Sequence, residues 1–359
     1  MMAVPGRIRT AVTTFAREAR QSAGYAPLPS GIDLLLTDAC NLHCAYCPIT
    51  IDQAARRART MIDTAKAIEF LESVAYFRPM IRIFGGEPFL HPQWPRIFSA
   101  AVANGLPLRV VTNGTRLLGR AKEIVQSGLI AIGISVDPPV AHDTFRGRGT
   151  FSLCEQVIAE IDRAKKELGS STPAVEIYTT VHEGTYAALT SWAEQLRFWK
   201  VDLLRLQHQI WLRVAQRPAS ERLITEAIGD STFFQSDVDT YCSDVMPNID
   251  PAILESELRG LQVGVYPFRI EIQPPLPVEE MIEFYRNPDF KRSTARACML
   301  ISNYAFVDPL GRLYPCLTLD MGNVFDQPFV RVWNGSKFRA FRRLLQREQR
   351  LPLCERCPA

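Results

Sequence analysis

Between residues 31 and about 208, short runs rich in β-branched and aliphatic residues alternate with longer stretches whose apolar positions recur every three to four residues. The short runs, residues 32–36, 81–84, 108–112, 131–136, 175–181 and 203–207, read as strands. The longer ones, among them 64–75, 94–103 and 151–168, read as amphipathic helices. Six strand–helix alternations predict an α/β fold in which right-handed crossovers join a parallel sheet. Such sheets carry their chemistry at the carboxyl ends of the strands. Periodicity does not separate a partial barrel from an open doubly wound sheet. Beyond residue 208 the pattern weakens. Residues 220–250 are polar, 251–261 have helical spacing, and the Pro-rich 273–277 reads as a connection. After about residue 295 come cysteines at intervals, a hairpin and a basic helix, which predict a small second domain.

Composition changes this picture in one respect only. A hydrophobic content of 47% with 22% charged residues is ordinary for a globular protein. The net charge of +3 implies no strong attraction to nucleic acid or an anionic membrane. The basic run from Lys337 to Arg343 has helical spacing and reads as a solvated helix face. No apolar run reaches the ~20 residues of a membrane span. Residues 7–17 lack the apolar core of a secretory signal and read as an amphipathic packing helix. The exception is the nine cysteines, an odd number that argues against a pure disulfide framework. Seven of them fall into cluster-like spacings, and iron–sulfur ligation needs reduced thiolates, which points to the cytoplasm.

Cys40, Cys44 and Cys47 follow the first strand directly. Three thiolates can hold three corners of an iron–sulfur cube and leave the fourth iron open. Zinc normally takes four ligands, and His43 could supply the fourth, so zinc stays open on this motif alone. Gly85-Gly86-Glu87-Pro88 ends the second strand, where paired glycines either admit a ligand to the backbone or form a simple turn. Ser135 and Asp137 end the fourth strand, and Arg146 follows. A hydroxyl and a guanidinium suit a ribose or a carboxylate; equally, Ser135 can cap a turn and Asp137 can pair with Arg146. Asn113, after the third strand, is a ligand contact or a turn residue, and Thr179 or Thr180 ends the fifth. After the sixth strand, His208 and Trp211 could shape a substrate pocket, with His208 as a general base or as a packed histidine. Cys298 and Cys316 flank a hairpin, and Cys354 and Cys357 complete a set of four that suits an iron–sulfur cluster or a zinc ribbon alike. Cys154 reads as core. Cys242 lies in a polar segment and could be exposed.

Together, Cys-x3-Cys-x2-Cys with Tyr46 before its last cysteine, the GGEP turn, and Ser135-Val-Asp137 followed by His142-Asp-Thr-Phe-Arg146 resemble the radical S-adenosylmethionine (SAM) superfamily, in particular its sulfatase-maturating and SPASM-type branch. Pro138 stands where that branch usually has glycine. The resemblance implies a partial (β/α)6 TIM-like barrel with a [4Fe–4S] cluster on Cys40, Cys44 and Cys47. It also implies SAM contacts at Tyr46, Gly85, Gly86, Glu87, Ser135, Arg146 and Thr180, and a 5′-deoxyadenosyl radical that takes hydrogen from a substrate. Cys298-x12-Gly-x4-Cys316, Gly322-Asn-Val-Phe, Val332-Trp-Asn and the Cys354-x2-Cys357 pair resemble the Twitch/SPASM domain, which implies a second [4Fe–4S] cluster. The chain stops at Ala359, before the further cysteines of a full SPASM domain. The expectation is therefore a small Twitch-type domain whose one auxiliary cluster is fully ligated and suited to electron transfer.

The expected layout is an N-terminal helical extension (1–29), the radical SAM barrel (30–263), a connecting segment (264–297) and the Twitch-like domain (298–359). The expected activity is that of a radical SAM oxidoreductase acting on a small molecule of the natural-product, sugar or cyclitol type. It resembles the Twitch-containing dehydrogenase of aminocyclitol biosynthesis, and the resemblance implies an external one-electron reductant of the flavodoxin or ferredoxin type. Two alternatives stand beside it. One is a radical epimerase with Cys242 as hydrogen donor. The other is a peptide-modifying (RiPP) enzyme, disfavoured because only a short segment precedes the first strand where many such relatives carry a leader-binding module. A non-enzymatic metal protein would leave GGEP and the Ser135/Arg146 pattern unexplained.

Overall fold

The computed structural model describes residues 21–47, 60–209, 211–229, 243, 245–291, 298, 300–316 and 319–357. Among these, nine strands form one sheet: β1 Gly31–Leu35, β2 Met80–Phe84, β3 Leu108–Thr112, β4 Ala131–Ser135, β5 Ala174–Val181, β6 Leu203–His208, β7 Arg269–Gln273, β8 Tyr304–Val307 and β9 Leu313–Tyr314. Their order is β7-β6-β5-β4-β3-β2-β1-β8-β9. Every pairing is parallel except the β8–β9 hairpin. The described α-helices are α1 Thr64–Val74, α2 Trp94–Ala103, α3 Ala121–Gln126, α4 Pro139–Phe145, α5 Thr150–Leu168, α6 Leu189–Leu196, α7 Arg217–Ile228, α8 Pro251–Val263, α9 Val278–Arg286, α10 Leu300–Asn303, α11 Phe329–Trp333 and α12 Ser336–Glu348.

The six strands read from the sequence are present within one residue of their expected ends. Alternation explains which side each residue serves, because successive side chains in a strand point to opposite faces. Ile32, Leu34, Ile81, Ile83, Ile132, Ile134 and Ile177 are fully buried in the main apolar core, and burying each such side chain is worth about 1.5–3 kcal/mol. The opposite face is polar. Arg82 pairs with Asp33, and Arg109 reaches Glu176 at 2.9 Å. Tyr178 and Glu271 both accept from Arg205, at 3.0 and 2.8 Å. Between β3 and β5, β4 carries Gly133, whose absent Cβ leaves room for the Tyr178 ring. Two of the described α-helices start on a side-chain cap: before α1, Asp63 accepts from the Lys66 amide at 3.0 Å, and before α8, Asp250 accepts from the Ala252 amide at 2.8 Å.

Three strands go beyond the expected six, β7 and the two strands of the expected hairpin, β8 and β9. The segment 264–297, read as a connection, supplies β7 and α9 to the barrel. β8, from the cysteine-bearing C-terminal region, pairs in parallel with β1, so the sheet runs unbroken from one part of the chain into the other. The basic run is likewise more than a solvated face. Arg342 is buried and donates to the carbonyls of Ile301 and Gly24 at 3.0 and 3.2 Å, tying the start of α10 and the segment before β1 to α12. The result is a mixed α/β protein built on a parallel sheet, the partial barrel of the expected class, extended by a small C-terminal cysteine domain.

Candidate functional site

Cys40, Cys44 and Cys47 sit on the loop leaving the carboxyl end of β1. Cys40 and Cys44 are buried and Cys47 is half-buried. Burial pushes the Cys44 thiol up to about 11 against the pull of Arg146, and the nearness of Cys47 and Cys40 pushes it further. Among the described residues no three His, Cys, Asp or Glu side chains converge as one metal ion would require, and His43 is exposed. A cube takes one thiolate on each iron, so its ligands stand further apart than those of a single ion. The donor set therefore fits a cluster better than zinc.

The glycine turn is locked to this loop through the backbone. Gly86 donates to Thr37 O at 2.9 Å and Glu87 to Ala39 O at 2.7 Å. A Cβ at Gly86 would run into the Ala39 carbonyl, so the approach itself demands glycine. Gly85 adopts φ +131°, a conformation that side chains rarely accept. The Glu87 carboxylate faces the protein, not the mouth of the barrel. It accepts from Thr112 Oγ1 (2.7 Å) and the Asn113 (2.8 Å) and Phe89 (3.1 Å) amides. Burial raises it to about 7 despite those bonds.

Tyr46, Asp137 and Arg146 meet in one buried network. Asp137 Oδ2 accepts from Arg146 Nε and from Tyr46 Oη, both at 2.6 Å. Its Oδ1 accepts from Arg146 Nη2 at 3.1 Å and from the Thr180 amide at 3.0 Å. Burial alone would raise the carboxyl, but Arg146 holds it well below the usual carboxylate range. The Tyr46 ring lies beneath the guanidinium, 5.4 Å from centroid to Cζ, and against His182 at 4.5 Å. Arg146, expected to grip SAM, thus has two donors committed to Asp137. Ser135 and the Thr180 side chain stay at the inner face. Thr179 turns outward, where its hydroxyl donates to Val136 O at 2.6 Å and accepts from Trp192 Nε1 at 2.9 Å.

His208 does not overlook the barrel. Gln207 takes the inner face, and alternation turns His208 outward, where its Nδ1 meets Tyr285 Oη at 2.5 Å. Burial lowers it to about 3, so it is a neutral packed histidine and not a general base. Trp211 is also buried. Both belong to a cluster that fixes the other cysteine set. Arg356, between Cys354 and Cys357, lies over Trp211 at 4.0 Å. It donates to Phe284 O at 2.5 Å and also to Asn287 O. Cys298, Cys316 and Cys357 are neighbours of Cys354 there: burial pushes the Cys354 thiol up, and the three neighbouring thiols add to the shift. Four thiolates in one neighbourhood suit an iron–sulfur cluster. Cys154 is buried core, as expected. Cys242 lies outside the described residues.

The sequence reasoning missed three features. Arg356 gave no signal beyond its place in the terminal pair, and the hydroxyl of Tyr46 gave none beyond its ring. Asn113 proves to be more than a turn residue, since its Nδ2 lies 3.6 Å from Cys40 Sγ.

Comparison with known proteins agrees with this geometry. The radical SAM superfamily model matches residues 34–175, and the SPASM iron–sulfur cluster-binding domain matches 298–358. An AdoMet-dependent heme synthase of Methanosarcina barkeri is 25% identical over 329 residues, covering 90% of this chain and 86% of that protein. A GTP 3′,8-cyclase of Chlorobaculum tepidum is 28% identical over 209 residues, 56% of this chain and 61% of that protein. Among solved structures, Streptococcus suis SuiB bound to S-adenosylmethionine covers 93% of this chain and 73% of its own, with a TM-score of 0.62 at 11% identity. SuiB has also been solved bound to its precursor peptide SuiA, with a TM-score of 0.60. With both domain models seated on cysteine sets that the fold gathers, the chain belongs to the radical SAM superfamily, with a C-terminal SPASM-type domain, and takes SAM and [4Fe–4S] clusters as its cofactors.

Proposed function

We propose that this enzyme oxidises a neutral, polar small molecule. The observation that carries the reading is the complete set of Cys298, Cys316, Cys354 and Cys357. When bound, SAM and the two clusters would supply a hydrogen-abstracting radical and a one-electron acceptor, the second cluster having a thiolate for every iron. The chain's own residues supply the rest. Ser135, Thr180, Gln207 and Gln273 occupy the inner face at the carboxyl ends of β4 to β7, with Thr180 opposite Gln207 and Gln207 opposite Gln273. All four are uncharged hydrogen-bonding groups. The nearest inner-face arginine below them, Arg205, is already engaged with Tyr178 and Glu271. That lining suits hydroxyls or amides better than carboxylates or phosphates, whose burial would call for an unpaired cation. In this reading Ser135 and Thr180, with the backbone of Gly85 and Gly86, also meet SAM. The peptide-modifying reading draws on the likeness to SuiB, which at this identity concerns the fold alone.

The test is turnover in D2O with SAM, dithionite and a panel of polyols and aminocyclitols. The expected product is lighter by two hydrogens and carries no solvent deuterium at carbon. Deuterium at a product carbon, lost in Cys242→Ala while 5′-deoxyadenosine still forms, would favour the epimerase instead.

A further inference from the structure

Asn113 follows β3 in the sequence Thr112-Asn-Gly-Thr115, and every polar atom it carries is used. Its backbone amide donates to Glu87 Oε2 at 2.8 Å, and its carbonyl accepts from Cys154 Sγ at 3.4 Å. Its Oδ1 accepts twice, from the Thr115 amide at 2.9 Å and from Thr115 Oγ1 at 2.6 Å. Two donors on one side fix the amide's orientation, since an amide nitrogen there would face N–H and O–H groups it cannot accept from. Nδ2 is thereby turned toward Cys40 Sγ at 3.6 Å and Asn41 Oδ1 at 3.1 Å. The Leu42 amide also points at Cys40 Sγ, at 3.5 Å. Cys40 thus lies within reach of one backbone and one side-chain donor.

Hydrogen bonds to cluster sulfurs withdraw charge from them and favour the reduced state, so their number sets part of the reduction potential. We propose that Asn113 is a positioning residue of the SAM cluster: its amide, held at Oδ1 by the Thr115 backbone N–H, donates to the Cys40 thiolate and raises the potential at which that cluster accepts its electron. The inference concerns the cluster that cleaves SAM and is independent of the substrate.

The test is a redox titration of the holoenzyme followed by EPR, reading the signal that changes when SAM is added. Asn113→Ala removes the donor and should shift that midpoint to more negative potential while the auxiliary cluster keeps its own. Asn113→Asp keeps the shape and the acceptor for Thr115 but replaces the donor with a negative charge, so it should shift the midpoint further in the same direction. Thr115→Val removes one tie to Oδ1 and leaves the donor, and its midpoint should stay at the wild-type value. If Asn113→Ala fails to hold iron, Asn113→Asp decides the question. A wild-type midpoint in whichever of these two variants retains the cluster, or an equal shift in Thr115→Val, would overturn the proposal and leave Asn113 a turn residue.

Discussion

Replacing Arg146 by alanine separates two roles that the sequence left open. In the structure Arg146 is buried, and two of its nitrogens hold Asp137, which is fully enclosed. Removing the cation leaves a buried carboxylate with the Tyr46 hydroxyl, the Thr180 amide and, at 3.9 Å, His182 Nε2. Breaking a buried pair from one side costs about 3–5 kcal/mol, because the remaining charge is uncompensated. The exposed pair Arg120–Glu123 is a control: at 35% and 43% side-chain exposure, its loss should cost under about 1 kcal/mol. Anaerobic urea unfolding of both variants measures the difference. Asp137→Asn in the Arg146→Ala background removes the stranded charge, its amide oxygen accepting from the Thr180 N–H and its amide nitrogen donating to the Tyr46 hydroxyl oxygen, and it should recover much of the loss. SAM affinity, measured by calorimetry, should fall and recover along with stability, and iron content should hold. An Arg146→Ala protein of wild-type stability that has lost SAM binding would refute the reasoning and return Arg146 to the role of SAM ligand.

Other perturbations test other parts. Gly86→Ala drives a Cβ into the Ala39 carbonyl and should cost the Cys40–Cys47 loop its geometry, halving iron content in an anaerobic iron assay while the auxiliary cluster remains. Arg356→Ala should do the reverse, loosening Cys354 and Cys357 and sparing SAM cleavage; unchanged iron would show that the Trp211 cluster does not position that pair. His208 is held neutral by burial, its value lowered from 6.5 to about 3, so the unfolded chain binds the proton first as pH falls. Its contribution is complete above about pH 6.5 and is lost progressively toward pH 3. Between pH 7 and 5.5 the loss is about 1 kcal/mol. His208→Gln should remove that share of the pH dependence of unfolding, and an unchanged slope would place the acid sensitivity elsewhere.

Much of the fold was legible because the six central strands are buried on one face and joined by amphipathic helices, which leaves both periods in the sequence. β7 escaped because Arg269-Ile-Glu-Ile-Gln is a half-buried strand at the sheet's end, bounded by Pro267 and Pro274, and its alternation is short. β8 against β1 escaped because pairing between positions 31 and 304 leaves no local trace. In the site, the cysteines and glycines were legible because their chemistry admits few substitutes. His208 was misplaced by one step of strand parity, which moves a side chain from one face to the other. The pairing of Asp137 with Arg146 was visible only as an alternative, since sequence does not say whether an arginine meets a ligand or a neighbour.

The central claim is that the Cys40, Cys44 and Cys47 cluster cleaves SAM while a second cluster sits on Cys298, Cys316, Cys354 and Cys357. It is tested most directly by counting iron, sulfide and 5′-deoxyadenosine in anaerobically reconstituted protein given SAM and dithionite. The wild type should hold about eight irons per chain with matching sulfide and form 5′-deoxyadenosine, and Cys40→Ala/Cys44→Ala/Cys47→Ala should keep about four irons and form none. Stoichiometric zinc without sulfide, or 5′-deoxyadenosine from the triple variant, would contradict it.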